Sequence, residues 1–374
     1  MRRVFISGNT AIAEGAIAAG MRFYAGYPIT PASDIMEYLA EKLPEVGGVM
    51  MQFEDEIASI NAVVGASWAG VKSMTATSGP GFSLMVEALG LAIITETPLV
   101  VVNVMRAGPS TGVPTKSSQS DVLQVRNGPH GDYVIPVLAP WSVQEAFDMT
   151  VKAFNISESL RTPVVLLSDS VIAHLWEAAI LREPGEIEVV NRKKPAVPPD
   201  EYLPYRPDDD LIPPMACFGE GYNVIVESLT HDERGYYKQD VNTYRRLVNR
   251  LCNKILNRID QVFDVEGYYI NDSKYIVVSY GSTARAALAA VRALRNSGVK
   301  AGLLRLKTLW PLKVGVIREY CRHADKVFVA ENNVGKVVYD IERIVKNGEV
   351  LSLPLLNLDV PTPDDIVEGI REWM

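Results

Sequence analysis

Three side chains with the chemistry to handle a proton or an organic anion follow predicted strands: Thr30, Glu56 and Arg106. The guanidinium of Arg106 suits bidentate recognition of a carboxylate. The hydroxyl of Thr30 is presented at the end of a strand. A buried Glu56 facing a crevice at the strand ends would be a candidate proton handler, because burial favours the neutral form of a carboxyl group.

Glu56 closes an acidic run that begins at Glu54 and stands at the start of a predicted helix. Carboxylates at a helix N-terminus are stabilised by the helix dipole, so a solvated capping role is an open alternative. In favour of the chemical role, the following segment 57–69 is nearly uncharged and rich in small residues. We expect that helix to be buried and to draw Glu56 towards the interior.

The loops around these residues are rigid or rich in glycine. Two prolines fix the turn Gly26–Pro31, and glycines in Thr77–Phe82 and Arg106–Gly112 let the backbone approach a ligand. Taken singly, each has an ordinary alternative: a connector with Ser33 as N-cap, a common Gly-Pro-Gly turn, and a surface arginine. Together with the acidic run Glu54–Glu56, these segments make four loops at four strand ends, which favours a shared site.

The elements that must position these loops alternate between strands and helices from residue 3 to about 170, which predicts a parallel sheet covered on both faces. In open sheets of this class, ligands bind beyond the carboxyl ends of the strands. A second α/β unit begins at Tyr275. We therefore expect three parts: a first domain at 1–180, a linker or arm with an amphipathic helix at 181–270, and a smaller domain at 271–374.

Composition narrows the class of protein. The net charge of −8 argues against a nucleic-acid partner, which would need clustered basic residues. Three widely spaced cysteines exclude an iron–sulfur cluster or structural zinc site within this chain, and the four histidines lack metal-ligand spacing, so no metal-binding residue is expected. No apolar run approaches 18 residues, which predicts a cytoplasmic protein that does not span a membrane. Phosphate-binding P-loop and dinucleotide motifs are missing.

In their order along the chain, the motifs resemble the α subunit of 2-oxoacid:ferredoxin oxidoreductases over nearly the whole length. The resemblance rests on Gly26–Pro31, Glu54–Ser59, Thr77–Phe82 and Arg106–Gly112. Within that family, the segments most similar to members acting on 2-oxoglutarate are Arg106–Gly112 with Pro114–Lys116, His130–Asp132, Thr230–Gly235 and Thr308–Pro311.

The resemblance implies a fold class, a cofactor and residue roles. The first domain would be the pyrimidine-binding domain of a thiamine diphosphate enzyme, a doubly wound parallel sheet, and the second would resemble the transketolase C-terminal domain. Glu56 would hydrogen-bond the pyrimidine ring, and Thr30 and Arg106 would hold the carboxylate of the 2-oxoacid. The implied cofactor-binding residues beside Glu56 are Tyr27, Pro28, Ile29, Thr77, Ser78, Gly79 and Phe82.

The chain departs from a complete thiamine enzyme because it has no Gly-Asp-Gly motif followed by Asn, which holds Mg²⁺ and the diphosphate. The resemblance therefore implies a β subunit carrying that motif, with the 4Fe–4S cluster also on partner subunits. It further implies a γ subunit, or γ and δ subunits, with ferredoxin and coenzyme A as co-substrates.

The implied reaction is oxidative decarboxylation of 2-oxoglutarate with coenzyme A to succinyl-CoA, CO₂ and reduced ferredoxin. Two alternatives stay open: the same chemistry on pyruvate or a branched-chain 2-oxoacid, and a non-catalytic scaffold or cofactor-binding subunit. For Thr230–Gly235 we favour ion pairs at a subunit interface over an active-site lid.

Overall fold

The computed structural model describes residues 1–183 and 185–374, and its largest sheet has seven strands. All neighbouring strands are parallel except the first pair, which is antiparallel. In spatial order the strands are β12 (Thr308–Trp310), β6 (Val137–Leu138), β7 (Pro163–Asp169), β5 (Leu99–Met105), β4 (Ser73–Thr77), β2 (Phe23–Gly26) and β3 (Val49–Gln52).

Helices cover both faces of this sheet. Their bounds are α1 (Gly8–Ala18), α2 (Ser33–Glu45), α3 (Glu56–Trp68), α4 (Gly79–Ile94), α5 (Val122–Asn127), α6 (Val143–Leu160) and α7 (Ser170–His174). Alternate residues of β5 enter two separate cores: Val101 packs with α3 and α4, whereas Val100 and Val102 pack with α1, α2 and α6. Burial on both faces explains why β5 is almost continuously apolar, as parallel strands usually are.

The N-terminal strand differs from the predicted pattern. β1 (Arg2–Ser7) pairs antiparallel with β8 (Trp176–Leu181) in a separate two-stranded ribbon and does not join the parallel sheet. Phe5 is exposed and lies against Trp176, with 5.6 Å between ring centroids. A strand solvated on one face suits an antiparallel ribbon better than the buried interior of a parallel sheet.

The C-terminal unit is built on a five-stranded sheet. Its order is β14 (Glu349–Pro354), β13 (Lys326–Glu331), β10 (Tyr275–Ser279), β11 (Ala301–Leu306) and β9 (Val265–Tyr268), parallel except for the last pair. Four helices accompany it: α10 (Gly281–Asn296), α11 (Val314–Cys321), α12 (Val338–Ile344) and α13 (Pro363–Arg371). The two units share elements, because β12 from the C-terminal part completes the seven-stranded sheet. The boundaries 1–180, 181–270 and 271–374 remain a proposal, and β9 precedes residue 271 although it belongs to this sheet.

The arm between β8 and β9 carries α8 (Val241–Leu256) and the short α9 (Ile259–Val262). As the sequence predicts, α8 is amphipathic, with Leu247, Leu251 and Ile255 buried. The helix ends at Leu256, and Ile259 begins α9. No helix within the described residues is both long and apolar enough to cross a membrane.

A buried charge cluster fixes α8 to the first domain. Glu96, fully buried at the end of α4, accepts hydrogen bonds from Arg250 at 2.6 and 2.7 Å and from Lys254 at 2.8 Å. Burial acts to raise the pKa of the Glu96 carboxyl, but the adjacent Arg250, Lys254 and Arg161 outweigh it and hold the pKa well below its usual range. Burial lowers the pKa of Lys254 to about 8 despite Glu96.

We predict that Glu96→Ala lowers the free energy of unfolding by about 3–5 kcal/mol, because it leaves buried cations without their counter-charge. Equilibrium denaturation measures the change. The matched control is Glu319→Ala, which removes an exposed i,i+3 pair with Arg322 and should cost under about 1 kcal/mol. Equal effects of the two substitutions would show that the Glu96 cluster does not anchor the arm.

Candidate functional site

The four loops singled out in the sequence follow β2, β3, β4 and β5 and therefore lie at the same carboxyl edge of the seven-stranded sheet. The chain runs from β2 outwards to β3 and then returns to the other side of β2 for β4. Strand order thus reverses beside β2. In open α/β sheets, the crevice beyond such a reversal point is where ligands bind.

The turn after β2 is held by three backbone contacts. Asn9 donates from Nδ2 to the Pro31 carbonyl at 2.8 Å, and Arg106 donates from Nη1 to the Thr30 carbonyl at 2.8 Å. The Phe53 amide donates to the Gly26 carbonyl at 3.0 Å. Among its side chains, Tyr27, Pro28 and Thr30 are exposed, Ile29 is half-buried and Pro31 is buried.

Two different acidic residues stand at the start of α3: one caps the helix and the other is buried. Asp55 is the N-cap residue, and its Oδ1 accepts a hydrogen bond from the Ala58 amide at 2.7 Å. Glu56 is the first helical residue and is only 4% exposed. The capping alternative therefore describes Asp55, whereas Glu56 is turned into the protein as expected.

The Glu56 carboxylate lies against the first turn of α4. A Cβ placed on Gly81 would lie 2.3 Å from Glu56 Oε1 and 2.1 Å from Thr77 Oγ1, closer than any side chain can approach. A side chain at this position would have to displace Glu56 or Thr77, because the first turn of α4 packs directly against both.

The surroundings of Glu56 raise the pKa of its carboxyl group above the usual value. Burial raises the pKa of the Glu56 carboxyl, and nearby Asp55 adds to the rise. A backbone amide of Glu56 itself and the charge of Arg106 oppose it without cancelling it. A carboxyl of this kind can share a proton with a ring nitrogen of a bound ligand.

Arg106, directly after β5, is buried and joins two loops. Its Nη1 binds the Thr30 carbonyl at 2.8 Å and its Nη2 binds the Thr111 carbonyl at 3.0 Å. Each of these nitrogens carries a second N–H that the two bonds leave for a carboxylate. Burial lowers the pKa of the Arg106 guanidinium while Asp121 and Glu56 act to raise it, and an arginine remains charged throughout.

Two polar residues at this edge are not among the site residues predicted from the sequence. Asn103 is fully buried inside the apolar strand β5 and donates from Nδ2 to Asp121 Oδ2 at 3.2 Å. A lone amide in a run of valines was a signal for Asn103. Asp121 gave none, because an acid before a short helix reads as an ordinary N-cap; here its carboxylate makes no cap hydrogen bond.

Several buried polar atoms at this edge have no hydrogen-bond partner among the described residues: Ser78 Oγ, Asn103 Oδ1 and Arg106 Nε. Unpaired buried polar atoms are rare in folded proteins and call for a ligand or water. They fit a crevice built to receive a polar molecule.

Family models match most of the chain. Residues 14–250 match the model described as pyruvate flavodoxin/ferredoxin oxidoreductase, thiamine diphosphate-binding. Residues 273–358 match the pyruvate:ferredoxin oxidoreductase core domain II.

The chain belongs to the pyruvate flavodoxin/ferredoxin oxidoreductase family.

Individual relatives agree with the family assignment. The 2-oxoglutarate synthase subunit KorA of Methanothermobacter marburgensis is 49% identical over 368 residues, covering 98% of each chain. A solved 2-oxoglutarate:ferredoxin oxidoreductase from Magnetococcus marinus, with 2-oxoglutarate, coenzyme A and succinyl-CoA bound, is 35% identical with a TM-score of 0.93. The match covers 99% of this chain and 65% of that one.

The fold class predicted from the sequence is confirmed. A split-gene transketolase, solved as an inactive beta4 tetramer, has a TM-score of 0.55 at 13% identity and covers 98% of this chain and 97% of its own. At that identity the likeness concerns the fold alone. It accords with a thiamine diphosphate-binding α/β sheet followed by a smaller transketolase-like unit.

The residues at the strand ends fit the pyrimidine half of thiamine diphosphate. The buried Glu56 carboxyl, whose pKa is raised, could hydrogen-bond a ring nitrogen, and the absence of a side chain at Gly81 leaves room beside it. Ser78 offers an unpaired buried hydroxyl. Phe82, in the first turn of α4, is fully buried and packs in the core that α3 and α4 share.

One expectation about α3 is wrong. We expected the uncharged segment 57–69 to be buried, but Ile57 is 49% exposed and Asn61 and Gly65 also face solvent. Leu84 on neighbouring α4 is 50% exposed. One face of α3 is therefore buried and the other is exposed to solvent, although the helix has no charged residue in this segment. The exposed face adjoins Glu56.

We predict that Gly81→Ala destabilises the protein by about 1–3 kcal/mol, since the added methyl must displace Glu56 or Thr77. Chemical denaturation of the purified chain measures this. As a control, Gly315→Ala lies in α11 with open space around its Cβ, and should leave stability unchanged or raise it. A neutral Gly81→Ala would contradict the close approach of Glu56 to α4.

Proposed function

We propose that this chain is the α subunit of a 2-oxoglutarate:ferredoxin oxidoreductase and forms half of each thiamine diphosphate site. The observation that carries the proposal is the buried Glu56 carboxyl, pressed against Gly81 beside the turn that Arg106 holds. The reaction converts 2-oxoglutarate and coenzyme A to succinyl-CoA and CO₂, and the two electrons released reduce ferredoxin. Near-full-length relatives named 2-oxoglutarate synthase support this substrate over other 2-oxoacids.

The first task of the chain is to bind the pyrimidine ring. When bound, thiamine diphosphate supplies a carbon nucleophile and an electron sink for decarboxylation. Glu56 would hold a proton at a nitrogen of that ring, a role that its raised pKa supports. The cofactor-binding set proposed with it remains Tyr27, Pro28, Ile29, Thr77, Ser78, Gly79 and Phe82.

The second task is to orient the 2-oxoacid. The Thr30 hydroxyl and the free N–H groups of Arg106 would receive the carboxylate that is lost as CO₂. Because Arg106 already holds the Thr30 carbonyl, the two groups are fixed relative to each other before substrate arrives. Such preorganisation spares the reaction the entropic cost of assembling its binding groups.

The remaining half of the site is proposed to lie on a β subunit. This chain lacks the Gly-Asp-Gly motif, so Mg²⁺ and the diphosphate would be held by that partner, as would the 4Fe–4S cluster. We propose that the β subunit contacts the exposed apolar side of α3 and α4, at Ile57 and Leu84. This surface adjoins Glu56, so a partner bound there would lie beside the shared site. We propose a γ subunit, or γ and δ subunits, and ferredoxin as further partners.

We predict that Glu56→Gln in the reconstituted complex lowers kcat by about 10²–10⁴-fold, the usual contribution of a general acid–base group. The control is Glu54→Gln, two residues earlier and exposed, which should keep near-normal turnover. Steady-state ferredoxin reduction measures both variants, and size-exclusion chromatography shows whether the complex still assembles. Near-normal activity of an assembled Glu56→Gln complex would refute the role of Glu56 and favour a scaffold.

Substrate preference is tested by comparing kcat/KM for 2-oxoglutarate, pyruvate and 2-oxoisovalerate. We expect 2-oxoglutarate to exceed the other two by at least about 10-fold, because a site built to pair with a second carboxylate would leave its polar groups unpaired when an apolar acid binds. A preference for pyruvate or 2-oxoisovalerate would place this complex among the other 2-oxoacid oxidoreductases.

A further inference from the structure

A cavity of about 820 Å³ opens in the arm, away from the Glu56 site. Its walls come from the segment 203–211, the turn 231–234 and the part of α8 between residues 243 and 253. Arg250 of α8 lines the cavity and also binds Glu96, which follows the end of α4. Because α4 begins beside Glu56 and its 16 residues span about 24 Å, the cavity lies at the far end of that helix.

The Thr230–Gly235 motif forms one wall of this cavity. His231 is only 2% exposed; its Nδ1 donates to the Leu229 carbonyl at 2.8 Å, and its ring lies 4.0 Å from that of Tyr205, centroid to centroid. Asp232 accepts hydrogen bonds from the Arg234 amide at 2.9 Å and from Arg234 Nη2 at 2.8 Å. The wall is therefore fixed by bonds within the chain.

Positive charge exceeds negative charge in the cavity lining, which holds five arginines and two acidic residues. Three of the arginines have a carboxylate partner: Arg206 pairs with Glu233, Arg234 with Asp232, and Arg250 with Glu96. Arg245 and Arg246 are exposed on α8 and have no carboxylate partner within the described part of the chain. Arg246 reaches only the Thr243 hydroxyl, at 3.3 Å. Two guanidinium groups are thus left for an anion.

The buried charges behind the cavity add to this excess. Arg161 and Lys254 are buried beside the same Glu96 carboxylate that Arg250 binds. The hydrogen bonds of Arg161 go to backbone carbonyls, so a single carboxylate stands against three cations. The whole chain carries a net charge of −8, and this region reverses its sign. A concave surface with such a field concentrates anions.

The cavity also offers apolar surface. Leu203, Leu211 and Leu247 line it together with the ring of Tyr205. Its volume falls in the range of sites that bind small molecules, which combine an apolar lining with a few polar groups that fix orientation. Guanidinium groups match the geometry of phosphate oxygens and bind them through paired hydrogen bonds. Size, apolar lining and unpaired arginines together suit a small molecule that carries a phosphate group.

We propose that this cavity binds a small organic phosphate. Its phosphate group pairs with Arg245 and Arg246, and its apolar body lies against Leu203, Leu211 and Leu247. The proposal is independent of the proposed function, because the cavity shares no residue with the crevice beside Glu56.

The test titrates the complete complex with adenosine diphosphate (ADP), the probe for an organic phosphate, by isothermal calorimetry at low ionic strength, where exposed charges are least screened. We expect Arg245→Gln/Arg246→Gln to weaken ADP binding in the cavity at least about 10-fold, because two charge-assisted hydrogen-bonding groups are lost. Both side chains are exposed, so the variant should fold and assemble normally, which size-exclusion chromatography checks. The control Arg292→Gln removes an exposed arginine of α10 and should leave the titration unchanged.

The difference between the double variant and wild type isolates this cavity, since ADP bound elsewhere in the complex contributes equally to both titrations. Two further probes identify the chemistry that is recognised. Adenosine, which lacks the phosphates, should bind at least about 10-fold more weakly than ADP, and inorganic phosphate should displace ADP from the cavity.

Identical ADP titrations of wild type and Arg245→Gln/Arg246→Gln would overturn the proposal, as would adenosine that binds as tightly as ADP. Inorganic phosphate with the affinity of ADP would remove the role of the apolar lining and assign the cavity to free phosphate instead. If the full chain alone shows the difference between variant and wild type but the complex does not, a segment of a partner subunit fills the cavity, and the proposal fails.

Discussion

Parallel pairing of β2, β3, β4 and β5 is the constraint on which the site depends. Parallel strands must all end at the same edge, so loops separated by up to eighty residues in the chain are forced together there. The reversal of strand order beside β2 then opens the crevice that they surround. The polar groups of the loops need no contacts with one another to be brought near.

Close packing at that edge sets the pKa of Glu56 and the orientation of Arg106. The absence of a side chain at Gly81 lets α4 approach the Glu56 carboxylate, and the burial that results raises its pKa. Arg106 fixes two turns through backbone carbonyls while its remaining N–H groups stay available. The same atoms thus stabilise the loops and prepare them for a ligand, which makes the site rigid before any partner chain arrives.

The rest of the chain supports this edge from a distance. The buried Glu96 cluster holds α8 of the arm against the first domain, and β12 completes the first sheet with residues from the C-terminal unit. Gln119, two residues before Asp121, forms hydrogen bonds with Tyr280, Thr283 and Asn333 of that unit. The C-terminal unit therefore belongs mechanically to the site, although none of the motifs that identify the site lies in it.

Local patterns in the sequence determined the fold class, the four loops and the choice of Glu56, because apolar periodicity and proline or glycine placement act within a few residues. The chain could not by itself predict the separate β1–β8 ribbon or the half-exposed α3, since both depend on which surfaces meet. Asp121 shows the same limit most clearly. Its carboxylate reaches Asn103 rather than capping α5 only because β5, α4 and the C-terminal unit converge on it, and such long-range packing leaves no mark in the local sequence.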